Sequence, residues 1–160
     1  MPLTNIDIER RLELATQELI AACTVVTALT TADRVVIRND TTHAADYPSA
    51  AINVMSSLPF GYRTGWYQCA LQLSALTYHQ DDESRSILKQ IAGALRGFAQ
   101  QTDLHTQYNA TVIAHATATA IDVREAWLDG NSFDASEDKI QEWVVPVAVL
   151  CRPTQAVTTT

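Results

Sequence analysis

Residues 65–78 read GWYQCALQLSALTY, and two sets of side chains alternate along them. One set is Tyr67, Cys69, Leu71, Leu73, Ala75 and Thr77, and the other is Trp66, Gln68, Ala70, Gln72, Ser74, Leu76 and Tyr78. A period of two is typical of a strand, because successive side chains point to opposite faces of a sheet. The stretch therefore predicts a long, half-buried antiparallel strand, around which the rest of the fold is arranged.

Helical spacing marks one segment on each side of this strand. Apolar residues recur at steps of three and four from Ile8 to Val26, and again from Ile87 to Ala99. Asp81 or Asp82 is the expected cap of the second helix, since a short acidic side chain can accept the free N–H groups of the first turn. The first helix is expected to fade in the β-branched run Thr24–Thr31.

The remaining chain predicts further strands separated by polar loops. Strands are predicted at Arg34–Arg38, Ala50–Met55, Thr111–Ile121 and Ile140–Cys151, and a continuation of the third through Trp127 is left open. Loops or turns are predicted at Asn39–Ser49, Ser56–Arg63, Gln100–Ala110 and Asp129–Asn131. Pro146 has no N–H to give to a ladder, so its strand is expected at a sheet edge or with a bulge there.

Strands and helices do not alternate regularly in this order, which argues against a parallel sheet. The prediction is an α+β two-layer domain, with a mostly antiparallel β-sheet and two helices packed on one face. Residues 1–152 are predicted as one domain, because no repeat or linker interrupts them. Residues 153–160 are small and polar and are predicted to be a flexible tail.

The charge of the chain restricts its partners. A net charge of −7 on 160 residues, with only Lys89 and Lys139 as lysines, leaves no basic stripe to neutralise phosphates. We therefore expect no sequence-specific nucleic-acid binding and no attachment to an anionic membrane surface. No apolar stretch approaches the ~20 residues that a membrane span requires.

Motifs for catalysis or cofactor binding are not found in the sequence. The five glycines cannot form a dinucleotide or phosphate loop, and Cys23, Cys69 and Cys151 are too far apart for a zinc motif. His79 precedes Asp81 and Asp82, but helix capping already explains these two acids. We predict no enzyme activity, no catalytic residue, no cofactor and no metal.

An acidic stretch with aromatic neighbours is the most distinctive local feature. Residues 122–142 hold seven acids against Arg124 and Lys139, with Trp127 inside and Trp143 directly after. Large aromatic residues are enriched at protein interfaces. The predicted partner-interface residues are Trp66, Tyr67, Trp127, Asp129 and Trp143. The alternative is that the tryptophans only close the core and that the acidic turn is a solvated hairpin tip.

Five segments, in their order and spacing, carry a resemblance to a known family. They are a leading helix over Ile6–Cys23, the strand YPSAAINV at 47–54, the strand WYQCALQL at 66–73, the helix start DDESRSIL at 81–88, and WVVPVAV at 143–149. With these features the chain resembles the tail terminator, or tail completion, proteins of long-tailed bacteriophages. The resemblance covers about residues 5 to 152 and carries over no individual functional residue.

This resemblance implies a structural virion protein rather than an enzyme. Members of the family form a ring, usually of six subunits, that caps the tail tube and joins it to the head. The implied partners are other copies of the chain, the tail tube protein and the connector proteins of the neck. The implied location is the phage tail or neck, after synthesis in the bacterial cytoplasm. Two alternatives stay open: another neck or tail-tube protein, and a small α+β enzyme or ligand-binding domain.

Overall fold

A computed structural model describes residues 3–38, 46–61, 64–154 and 157–159 of the chain. The helices there are α1 Ile8–Ala21, α2 Thr24–Thr30, α3 Ser86–Ala99, α4 Leu104–Asn109 and α5 Val112–His115. The strands are β1 Leu3–Asn5, β2 Val35–Ile37, β3 Ser49–Pro59, β4 Tyr67–Tyr78, β5 Ile121–Leu128, β6 Phe133–Asp134, β7 Ile140–Pro153 and β8 Val157–Thr159. Most of the predicted loop Asn39–Ser49 lies outside the described residues.

The predicted α+β class is confirmed by the sheet. The described strands form a six-stranded sheet in the order β2-β3-β4-β7-β5, with β6 pairing along the remaining part of β7. Only β2 and β3 pair in parallel, so the sheet is mostly antiparallel. Separately, β1 pairs with β8, in the region where the sequence predicts a loose tail.

The core lies between the helices and one face of the sheet. Cys69, Leu71 and Leu73 of β4 are buried in one cluster with side chains from all five described helices. The alternate residues of β4 lie outside this cluster and point the other way. We call this second surface the helix-free face; on β4 it carries Gln68, Ala70, Gln72, Ser74 and Leu76, and Trp66, just before β4, continues the alternation.

The first helix ends differently from the prediction. The chain bends by 83° after α1, and the β-branched run at 24–30 continues as the separate helix α2 instead of fading. Val26 is fully buried, and the hydroxyls of Thr27 and Thr30 donate to carbonyls four residues earlier. Tertiary packing of Val26 outweighs the low helix propensity of the run.

Residues 100–120 were predicted wrongly. The predicted loop contains α4, and the first part of the predicted strand Thr111–Ile121 forms α5, so that β5 begins only at Ile121. Leu104 and Tyr108, one helical turn apart, are both buried. The Thr111 hydroxyl accepts the N–H of Ala114 and caps α5. The alternating alanines and threonines of this segment imitate a strand pattern without burying one face.

Two prolines also occupy unexpected places. The predicted strand Ala50–Met55 extends as β3 to Pro59, with a bulge at Met55, so the predicted turn starts too early. Pro146 lies in the interior strand β7, not at an edge and not in a bulge. Its carbonyl accepts the N–H of Asp129, so its nitrogen faces the gap between β5 and β6, where no ladder bond is needed.

The start of α3 depends on one of the two predicted acids. Asp82 is four residues before the helix, and its two carboxylate oxygens accept the N–H groups of Ile87 and Leu88, at 3.1 and 3.0 Å. Arg85, with a positive φ of 63°, makes the turn between the acid and the helix. These bonds satisfy the free N–H groups that any helix start leaves.

Within the described residues, no single helix has the length and apolar composition of a membrane span. The helices α1 and α2 have that length and composition only when they are taken together, and the chain bends by 83° between them. The same residues contain no group of three or more His, Cys, Asp or Glu side chains placed to hold a metal ion.

Candidate interaction site

Two of the five predicted interface residues share the helix-free face. Tyr67 pairs with the core residue Cys151, so Trp66, one residue earlier, points to the opposite face. The guanidinium carbon of Arg152 is 4.7 Å from the centroid of the Trp66 ring. Trp127 pairs with Ala148, which belongs to the same face because it alternates with the core residue Val149. Both rings therefore lie on the side of the sheet that no described helix covers.

The other predicted residues lie elsewhere. Tyr67 and Trp143 are on the opposite face and pack, partly buried, against the core. The guanidinium carbon of Arg85 is 5.9 Å from the ring centroid of Trp143. Asp129 is exposed at the turn after β5, where its N–H donates to the Pro146 carbonyl. The structure does not bring the five residues into one patch, and their interface role stays a prediction.

A second group of apolar side chains on the helix-free face was missed. Leu58 and Phe60 are 66% and 46% exposed at the end of the β3–β4 hairpin. Leu58 pairs with Gln68, and the N–H of Phe60 donates to the Trp66 carbonyl, which places both side chains on the same face as Trp66. The sequence predicts a turn here, so no face could be assigned. Leu58, Phe60 and Trp66 form an exposed apolar edge.

An ion pair occupies the other end of the helix-free face. The Glu142 carboxylate accepts two bonds from Arg38, at 2.8 and 2.9 Å, and one from the Ser74 hydroxyl at 2.8 Å. These bonds raise the pKa of Arg38 above its usual value. A cleft of about 390 Å³ lies beside the pair, with Val36, Ala51, Leu76 and Ile140 among its walls. Arg38 and Glu142 are 104 residues apart, so no local pattern could predict their contact.

The acidic stretch is partly neutralised by the fold. Three of its seven acids pair with arginines: Asp122 with Arg152 at 3.4 Å, Asp134 with Arg85 at 2.7 Å, and Glu142 with Arg38. All three arginines lie outside residues 122–142. Because of these pairs, residues 122–142 form a weaker negative patch than the sequence suggests.

The Asp134 contact gives a pH-dependent prediction. Hydrogen bonds from Ser136 and Arg85 lower the pKa of Asp134 from 3.8 to about 2. A lowered pKa in the folded state means that the contact stabilises the fold above about pH 4, and that this contribution is lost as the pH falls toward 2. We expect an NMR titration of the Asp134 carboxyl carbon to have its midpoint near 2. Arg85→Met should move the midpoint toward 3.8, and a wild-type midpoint near 3.8 would contradict the contact.

These features define a two-layer α+β domain with one sheet face that no described helix covers and an exposed apolar hairpin end. Comparison with protein families and with curated proteins found no match to the chain. The described residues gather aromatic, apolar and arginine side chains on the helix-free face, which is an arrangement suited to macromolecular contact.

Proposed function

We propose that the chain is a structural subunit of a phage tail, a tail terminator or tail completion protein that assembles into a ring. In this role the ring caps the tail tube and joins it to the connector proteins of the neck. The partners are further copies of the chain, the tube protein and the connector. The protein acts in the virion and without chemistry of its own.

The observation that carries this proposal is the helix-free face with its exposed hairpin end. Leu58 and Phe60 expose apolar surface next to Trp66, although the structure offers a well-packed core on the other side of the same sheet. Exposed apolar surface with aromatic and arginine neighbours is typical of sites that bind other proteins. The exposed surface does not specify the assembly. The ring on a phage tail follows from the resemblance in the order of elements.

The overall charge is compatible with a ring through which DNA passes. The chain carries a net charge of −7, and the acids Glu125, Asp129, Glu137 and Asp138 are exposed. A negative inner wall repels the phosphate backbone, and so DNA slides past it without binding.

The test is the native mass of the purified protein, together with tail-tube polymerisation. We expect native mass spectrometry and negative-stain electron microscopy to show closed rings, either free or on the end of preformed tubes. Added protein should stop the elongation of tubes, and the amount of protein required should be proportional to the number of tube ends. A protein that stays monomeric and neither binds tubes nor stops their growth would overturn the proposal. Incorporation along the whole tube would identify it as a tube protein instead.

A further inference from the structure

The outer edge of β5 carries unpaired backbone groups. The Asn109 side chain bonds to both the N–H and the C=O of Val123, at 2.7 and 2.8 Å, and so covers the start of this edge. Farther along, the Asp129 N–H donates to Pro146 of β7, and the register between β5 and β7 is continuous back to Glu125. Residues of a strand alternate in direction, so Ala126 and Leu128 direct their N–H and C=O groups away from β7.

These outward groups lie in a groove. Within the described part of the chain, no hydrogen bond reaches the outward backbone groups of Ala126 or Leu128. The groove has a volume of about 510 Å³, and its other wall is the turn between α3 and α4, with Gln100, Gln101, Thr102 and His105. Backbone donors and acceptors in such a groove can accept one further strand.

The opposite side of the sheet has a second open edge. β2 covers β3 only at Ala50–Ile52, and the next outward N–H, that of Val54, is bonded to Glu13. Beyond the bulge, Phe60 donates to Trp66 of β4, so Leu58 also faces β4 while Ser57 and Pro59 face outward. Among the residues that the structure describes, no strand pairs with β3 at Ser57 or Pro59.

The two edges are complementary in direction. β3 is antiparallel to β4, β4 to β7, and β7 to β5, so β3 and β5 run in opposite directions on opposite sides of one sheet. A rotation about an axis along the strands therefore places β3 of one copy antiparallel to β5 of the next. Such a contact is head-to-tail, and it closes into a ring when the rotation between neighbouring copies divides a full turn.

We propose that the outer edge of β5 at Glu125–Leu128 pairs with the outer edge of β3 at Ser56–Pro59 in a second copy of the chain. The sheet then continues from subunit to subunit. The opposite directions of the two edges support this choice of partner, because β3 of one copy can pair antiparallel with β5 of the next. The proposal rests on the proposed ring-forming function and names the contact that builds the ring.

Proline at an outward position tests each edge separately. In Ala126→Pro and Ser57→Pro, the lost N–H faces outward, so no bond within the subunit's own sheet is lost. We expect each variant to stay folded by circular dichroism and to bind its neighbour at least about tenfold more weakly, because the hydrogen bonds across the edge are lost. The matched variants Ala126→Ser and Ser57→Ala keep the N–H and should form rings as the wild type does.

Mixing the two proline variants tests the head-to-tail geometry. Ala126→Pro keeps an intact β3 edge and Ser57→Pro keeps an intact β5 edge. One productive contact remains between them and no further contact can follow. An equimolar mixture should therefore give 1:1 dimers in native mass spectrometry, while each variant alone stays monomeric.

The outcomes separate this proposal from the proposed function. If the wild type forms rings and both proline variants also form them, the edge contact is wrong and the ring proposal stands. Dimers of one variant alone would show like-with-like edge pairing and overturn the head-to-tail contact. A wild type that is monomeric, also on tubes, overturns both proposals. If a proline variant does not fold, Leu58→Lys puts a charge on a side chain that is 66% exposed, and rings that form normally with it overturn the contact.

Discussion

Arg11→Ala is expected to lower the free energy of unfolding by about 3 kcal/mol, because it leaves the Asp7 carboxylate and the Ala120 carbonyl without their donor and leaves a cavity in the core. Arg11 is 0% exposed in α1. Its Nε donates to Asp7 at 2.7 Å, and its Nη1 donates to the carbonyl of Ala120 at 2.7 Å. The second bond fixes the residue just before β5 to the first helix of the chain.

The neighbouring arginine provides the matched control. Arg10 is on the same helix but exposed, so Arg10→Ala should change the free energy of unfolding by less than about 0.5 kcal/mol. Urea unfolding followed by circular dichroism measures both variants. Equal, small effects at the two positions would contradict the burial of Arg11 and its contact with Ala120.

Tyr108→Ala should cost about 3–5 kcal/mol of stability, the usual range for deleting a buried aromatic side chain. Tyr108 is fully buried in α4 and belongs to the core cluster. The Thr16 hydroxyl donates to the Leu12 carbonyl at 2.7 Å, so the Tyr108 hydroxyl is the donor in its own 2.7 Å bond to Thr16. The same unfolding measurement, with Tyr108→Phe alongside, should show a loss of only about 1 kcal/mol for the phenylalanine variant.

Tyr108 also predicts a loss of stability at alkaline pH. Burial raises the pKa of this hydroxyl above its ordinary value of 10.0. The unfolded chain then loses the proton before the folded one does, so stability is unaffected below about pH 10 and falls as the pH rises beyond it. Tyr108→Phe should show a smaller fall over that range. An equal fall in both proteins would mean that Tyr108 ionises freely in the fold.

Local periodicity explains which elements could be predicted. The alternation over 65–78, the helical spacing over 8–21 and 87–99, and the capping role of Asp82 are each readable within one turn or one strand. For the two helices the repeat also identifies the buried face, and for the strand it separates the two faces. Residues 104–115 fail this test, because two short helices hold too few residues for a repeat, and Tyr108 joins the core through the distant Thr16.

The candidate site could be predicted only in its residue types. The sequence indicated the aromatic residues and the acidic stretch, and the alternation over 65–78 put Trp66 and Tyr67 on opposite faces. It could not show that Trp127 shares a face with Trp66, or Trp143 with Tyr67. That division follows from strand register, which a single segment does not contain. Leu58 and Phe60 were missed because Pro59 and Gly61 suggested a turn before the strand had ended.

The sequence by itself determined the α+β class, the central strand and the two long helices, because these depend on repeats within one segment. Only the tertiary structure decided which strands are neighbours. Strand order places Pro146 opposite a gap, joins Arg38 to Glu142 across 104 residues, and puts β3 and β5 near opposite edges of the sheet that the described strands form. The physical reason is that hydrogen-bond partners and charge partners are set by contacts between segments distant in the chain, which a local pattern cannot specify.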